Sequence, residues 1–119
     1  MTKTIRNLIA AMLLIGASQG AMAVEDFTYQ TGNSLLAICE SEHPSDDSLC
    51  LGYMEAVSDT YMTLLRWKEF EPDTCIPNGV TARQLIKIWT KWANEHPEQL
   101  HFEAAGVVLY AFLKAFPCD

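Results

Sequence analysis

Four cysteines, Cys39, Cys50, Cys75 and Cys118, constrain this chain more than any other feature. An even count in a small exported domain reads as two disulfides. The gaps of 11, 25 and 43 residues contain no close ligand pair such as C-x2-C, so a zinc site is not expected. Cys118 stands one residue from the C-terminus, just after Pro117. Chain ends fray unless something ties them down, so a cysteine there implies a fastened tail.

Disulfides need an oxidising compartment, and the first residues point to one. The stretch "MTKTIRNLIAAMLLIGASQGAMA" has Lys3 and Arg6, then an apolar run from Leu8 to Ala17, and closes on "AMA" at 21–23. That order reads as a secretory signal peptide at 1–23, with cleavage expected after Ala23 and a periplasmic mature protein. The apolar run is shorter than the about 20 residues a membrane span needs, so an anchor is not expected. Residues 24–119 then form one small domain. Their six basic residues face fifteen acidic ones, a formal charge of −9. Such a surface disfavours nucleic acid and anionic membranes. It suits a basic partner, or keeps the protein in solution.

The pattern along the mature chain is helical throughout. Residues 24–29 read as a loose leader. "TGNSLLAIC" opens a first helix, with Asn33 or Ser34 placed to cap it and Leu35, Leu36, Ile38 and Cys39 as its apolar face. The acidic, proline-bearing stretch 40–48 reads as a loop. A second helix is expected over 49–67, where Leu49, Tyr53, Val57, Tyr61, Leu64 and Leu65 recur at three- and four-residue steps. Gly52 and Ala56 lie on a neighbouring line, where small residues let another helix come close. "KEFEPDTCIPNGV", 68–80, is a long connection, of a length that is often functional or mobile.

The third helix has the clearest start signal: Thr81 and Gln84 fit a capping box, and Val80 and Leu85 fit a hydrophobic staple. Leu85, Ile88, Trp89 and Trp92 form its apolar face, and Pro97 stops it. A fourth helix is expected to begin around Pro97 and to end at Pro117, with Leu100 or His101, Ala104, Ala105, Val108, Leu109, Phe112 and Phe116 as its buried face. No alternating β-branched run occurs. The expected fold is therefore a small all-α, four-helix domain with two disulfides.

Four cysteines allow three pairings. A tight turn at His96–Pro97 makes helices three and four antiparallel, which brings Cys75 beside Cys118. Cys39 and Cys50 face each other across a short loop. Cys39–Cys50 and Cys75–Cys118 are therefore the expected bonds, each contributing about 2–4 kcal/mol.

Catalytic patterns are missing. His96 and His101 are four intervening residues apart, with Pro97 between them, and no third metal ligand is apparent. They read as a helix-end cap and a surface residue. Ser58 and Asp59 lack the glycines of a nucleophile elbow. Trp89 and Trp92 read as core, and Trp67 as exposed. There is no phosphate loop or dinucleotide fingerprint. No cofactor, no metal and no enzyme activity are expected.

The chain resembles the Rap/Tai family of periplasmic immunity proteins. The resemblance runs through "TGNSLLAIC" at 31–39, "CLGYMEAVSD" at 50–59, "CIPNGVTARQL" at 75–85 and "HPEQLHFEAAGVVLYAFLKAFPC" at 96–118, with all four cysteines in place. Ala56 departs from the pattern, since many members carry glycine there. The resemblance implies a small helical domain, similar in fold to HdeA-type acid chaperones, that guards a bacterium against type VI secretion effectors. The implied partner is a cell-wall amidase that cleaves peptidoglycan cross-links. Such a protein plugs the enzyme's active-site cleft and often works as a homodimer, which Gly52, Ala56 and exposed aromatics would allow here.

A plug gains affinity when its loop is ordered in advance, and an acidic loop speeds encounter with a basic cleft. Trp67, Glu69, Phe70, Glu71 and Asp73 are therefore the expected partner contacts. A solvated, mobile connection is the bland alternative for the same stretch. Two other functions fit the chain: an HdeA-like acid-stress chaperone and an envelope protein with no effector.

Overall fold

The computed structural model describes residues 28–119. The expected signal peptide and its cleavage point lie outside them. Four α-helices follow in order: α1 Gly32–Glu40, α2 Pro44–Arg66, α3 Ala82–Glu95 and α4 Ala104–Ala115, with a 3-10 turn at Pro97–Gln99 before α4. The all-α class with two disulfides is the one expected. Each helix packs against the other three. Trp89, Phe112, Leu35, Met54 and Val108 fill the space between them and are fully buried. Each such side chain contributes about 1.5–3 kcal/mol through lost apolar exposure.

The helix starts correct the sequence reading in three places. Thr31, not Asn33 or Ser34, caps α1: its hydroxyl accepts from the Ser34 N–H, and the Ser34 hydroxyl oxygen accepts from the Thr31 N–H. Helix α2 begins at Pro44 rather than Leu49, so most of the expected 40–48 loop is helical. Pro44 occupies the first turn, where its missing N–H costs nothing. Asp46 and Asp47 share that turn and favour the positive end of the helix dipole. Between Pro97 and α4 the chain makes one 3-10 turn and then the irregular stretch 100–103 before Ala104. The start of α3 is as read, with Thr81 and Gln84 in a reciprocal capping box.

That irregular stretch holds the start of α1. The Gly32 N–H donates to the Phe102 carbonyl at 3.0 Å, and the Asn33 N–H to the Leu100 carbonyl at 2.8 Å. These are N–H groups the helix itself leaves unpaired. In return the Ala104 N–H donates to the Gln30 carbonyl at 2.9 Å. The approach is so close that a Cβ on Gly32 would lie 2.9 Å from the Leu100 Cα.

Two cross-links fix α1 and α3 against α2. Cys39 is bonded to Cys50 with a Cα–Cα distance of 5.1 Å, and Cys50 is buried. Asp47, in the first turn of α2, takes both guanidinium donors of Arg83 in the first turn of α3, with Nη2 at 2.7 Å from Oδ2. The Arg83 hydrogen bond holds the Asp47 carboxyl below its ordinary value. Among the described residues no helix is long and apolar enough to cross a membrane.

Candidate partner-binding site

The 68–80 connection is anchored at its start and at its middle. At its start α2 closes in a Schellman motif: the Lys68 N–H donates to the Leu65 carbonyl at 3.0 Å, and the Glu69 N–H to the Leu64 carbonyl at 3.2 Å. Lys68 takes the left-handed conformation this motif needs, with φ 58°, in a position usually given to glycine.

At its middle the segment is tied to the tail. Cys75 is bonded to Cys118, with a Cα–Cα distance of 5.0 Å. A backbone bridge pairs Thr74 with Pro117. The Cys75 N–H donates to the Phe116 carbonyl at 2.8 Å, and the Cys118 N–H to the Asp73 carbonyl at 3.2 Å. Cys118 thus secures a small backbone ladder as well as a covalent bond.

Tyr61 holds the middle from inside. Its buried hydroxyl accepts the Thr74 N–H at 3.1 Å. Its own proton can go to Asp73 Oδ1 at 3.1 Å or to the Thr74 carbonyl at 3.2 Å. The Thr74 hydroxyl also donates to Asp73 Oδ1, at 3.2 Å. Thr74 is 4% exposed and is the buried polar residue of this region; all its backbone and side-chain polar groups find partners, as burial demands.

The five expected contact residues therefore divide. Trp67, the C-cap of α2, is 68% exposed. Glu69 and Glu71 are exposed on either side of Phe70. Phe70 is 41% exposed and leans on Tyr61, with ring centroids 5.5 Å apart. Asp73 differs: its carboxylate and its carbonyl both serve the anchor just described. Tyr61 read from sequence only as part of an apolar helix face; nothing in its spacing marks the hydroxyl as a latch.

Phe70 also borders a groove between α2 and α4. One cavity of about 290 Å³ reaches Ala56, Leu64 and Ala105. A second of about 290 Å³ reaches Asp73, Gly106 and Leu113. Tyr61, Phe70 and Leu109 line both. Tyr53, at one edge, has its phenol pushed up by burial, opposed by a bond with the Ala105 backbone. Gly52 and Ala56 are exposed, and so is Ala105, which the sequence reading placed on the buried face of its helix. A Cβ on Gly52 would meet nothing within 4 Å, so no helix among the described residues uses its small size.

The histidines do not converge. His43 caps α2. His96 ends α3, with its ring stacked on Trp92 at 4.6 Å and Nδ1 at 2.8 Å from the Trp92 carbonyl. His101 is exposed beside Phe102. Trp89 and Trp92 are buried. The Ser58 hydroxyl donates to the Met54 carbonyl in its own helix. Among the described residues no group of three or more His, Cys, Asp or Glu side chains could hold a metal ion.

Fold and site together define a disulfide-stapled helical domain that presents an anchored acidic and aromatic segment beside an apolar groove. A family profile described as Rap1a immunity proteins matches residues 31–118. The chain belongs to the Rap1a immunity protein family. No curated protein and no solved structure matches it.

Proposed function

We propose that this chain is a periplasmic immunity protein that binds a type VI secretion effector and blocks it without turnover. Membership of the Rap1a immunity family over residues 31–118 carries the reading. The effector is a peptidoglycan amidase, and the block is occlusion of its active-site cleft by the 67–71 segment. Anchoring supports that mechanism. A segment held by a Schellman motif, the Tyr61 hydroxyl and the Cys75–Cys118 bond loses little conformational entropy when it inserts. Glu69 and Glu71 are free to meet a basic cleft, which raises the association rate.

Export fits the two disulfides, which persist in oxidising compartments. The mature N-terminus is then Val24, and mass spectrometry of periplasmic protein reads it directly. The acid-chaperone reading needs a domain that opens in acid, and two cross-links plus two backbone bridges oppose such opening.

Reversing both charges, Glu69→Lys with Glu71→Lys, tests the mechanism. The account expects association with the effector to slow at least tenfold at low salt, with the difference closing as salt screens it. An unchanged rate would remove the acidic segment from the contact.

A further inference from the structure

We infer that the groove beside Phe70 is a receptor for one large apolar side chain of a partner protein, carried between lysines or arginines. The partner's identity as an effector rests on the immunity reading; the chemistry of the groove does not.

Shape and lining come first. A cavity of about 150 Å³ already holds benzene. Each lobe here is about 290 Å³, and Asp73 is the one charged residue in the lining of either. A buried large side chain in such a pocket is the kind of anchor that dominates interface energy.

The rim comes second. Ala56 on α2 and Ala105 and Gly106 on α4 are exposed beside the groove, and a Cβ on Gly106 would meet nothing within 4 Å. Gly52 lies one turn before Ala56, in the interior of α2. Glycine there costs about 1 kcal/mol against alanine, and no contact within the domain offsets it. Small residues that the fold does not need leave room for a foreign backbone to come close.

Charge selects the occupant. Phe70, which lines both lobes, stands between exposed Glu69 and Glu71, and Asp73 lines one lobe, where the Lys114 ammonium is occupied over the Tyr110 ring at 4.9 Å. An apolar side chain flanked by basic residues satisfies both the lining and its border. One flanked by acids meets like charge, which costs affinity.

The test uses the oxidised full chain and two defined probes, acetyl-Lys-Lys-Leu-Trp-Leu-Lys-Lys-amide and the same peptide with glutamate in place of lysine. Amide NMR should show the lysine peptide shifting Ala56, Thr60, Phe70, Ala105 and Leu109. The glutamate peptide should bind at least tenfold more weakly. Ala56→Trp, on an exposed position, should fill the groove and weaken the lysine peptide at least tenfold with the thermal unfolding midpoint unchanged; Ala105→Trp provides the same test from α4. Shifts elsewhere, equal binding of the two peptides, or indifference to both tryptophans would overturn the inference. So would a dimer in solution that buries Ala56, which would assign the face to a second copy. An effector that is still inhibited by Ala56→Trp would end the groove's role and leave the immunity function standing.

Discussion

No side chain fits at Gly32. The Leu100 backbone occupies the space a Cβ would need, at 2.9 Å, and backbone cannot swing aside as a flexible side chain can. Gly32→Ala should therefore lower stability by about 1–3 kcal/mol in urea unfolding, the usual range for overpacking; a neutral result would contradict the close approach. Lys68 is the opposite case. It holds a left-handed conformation that costs a residue with a Cβ about 1 kcal/mol. Lys68→Gly should stabilise by about 0.5–1 kcal/mol, with the Schellman motif kept. Asp47 sets a pH dependence. Its folded pKa is depressed below 3.8 by Arg83. The stabilisation is thus full above that value and is lost as pH falls through the lower folded one. Both side chains are about half exposed, at 55% and 50%, so the effect is small and salt-sensitive. Asp47→Asn should melt below the parent at neutral pH, and the two melting temperatures should converge in strong acid. None of these residues was legible as special beforehand. A close approach, a left-handed turn and a pair 36 positions apart all depend on where distant segments meet.

Among the elements, short-range signals were readable and long-range ones were not. The α3 start was legible because a capping box lies within four residues. The α2 start was missed because Pro44, Ser45, Asp46 and Asp47 have the composition of a loop and also the chemistry of a helix N-terminus. The 100–103 irregularity had no local signature: it exists to serve the α1 N-terminus, which lies far away in sequence. The Cys75–Cys118 bond followed from the antiparallel packing of α3 and α4, whereas the Thr74–Pro117 bridge and the Tyr61 latch around it had no such clue. Their energetic weights should differ accordingly. Replacing both Cys75 and Cys118 by serine should cost about 2–4 kcal/mol. Tyr61→Phe leaves the buried Thr74 N–H without an acceptor and should cost about 1–3 kcal/mol. Hydrogen exchange should show faster opening at 73–75 in both variants and little change around Leu35 and Trp89. Uniform acceleration across the domain would contradict a local latch.

At the scale of the molecule, the fold places its order where a binding surface needs it. The Cys75–Cys118 disulfide and the Thr74–Pro117 bridge hold the C-terminal tail and the 68–80 connection, leaving Trp67, Glu69, Phe70 and Glu71 exposed on a fixed frame. The acidic balance of fifteen acids against eight bases over the whole chain suits a basic target. The family was legible in the order of four cysteine-bearing motifs; the groove was not, because it is made by two helices that the sequence does not place side by side. The most direct test of the immunity function is capture with the tagged, oxidised chain from secreted and periplasmic fractions of the source bacterium, at neutral pH and again in acid. The account predicts one dominant partner at neutral pH that cleaves peptidoglycan and is silenced by an equal amount of this protein. A partner that keeps its full wall-cleaving activity in the complex, or many weak partners that appear only in acid, would contradict it.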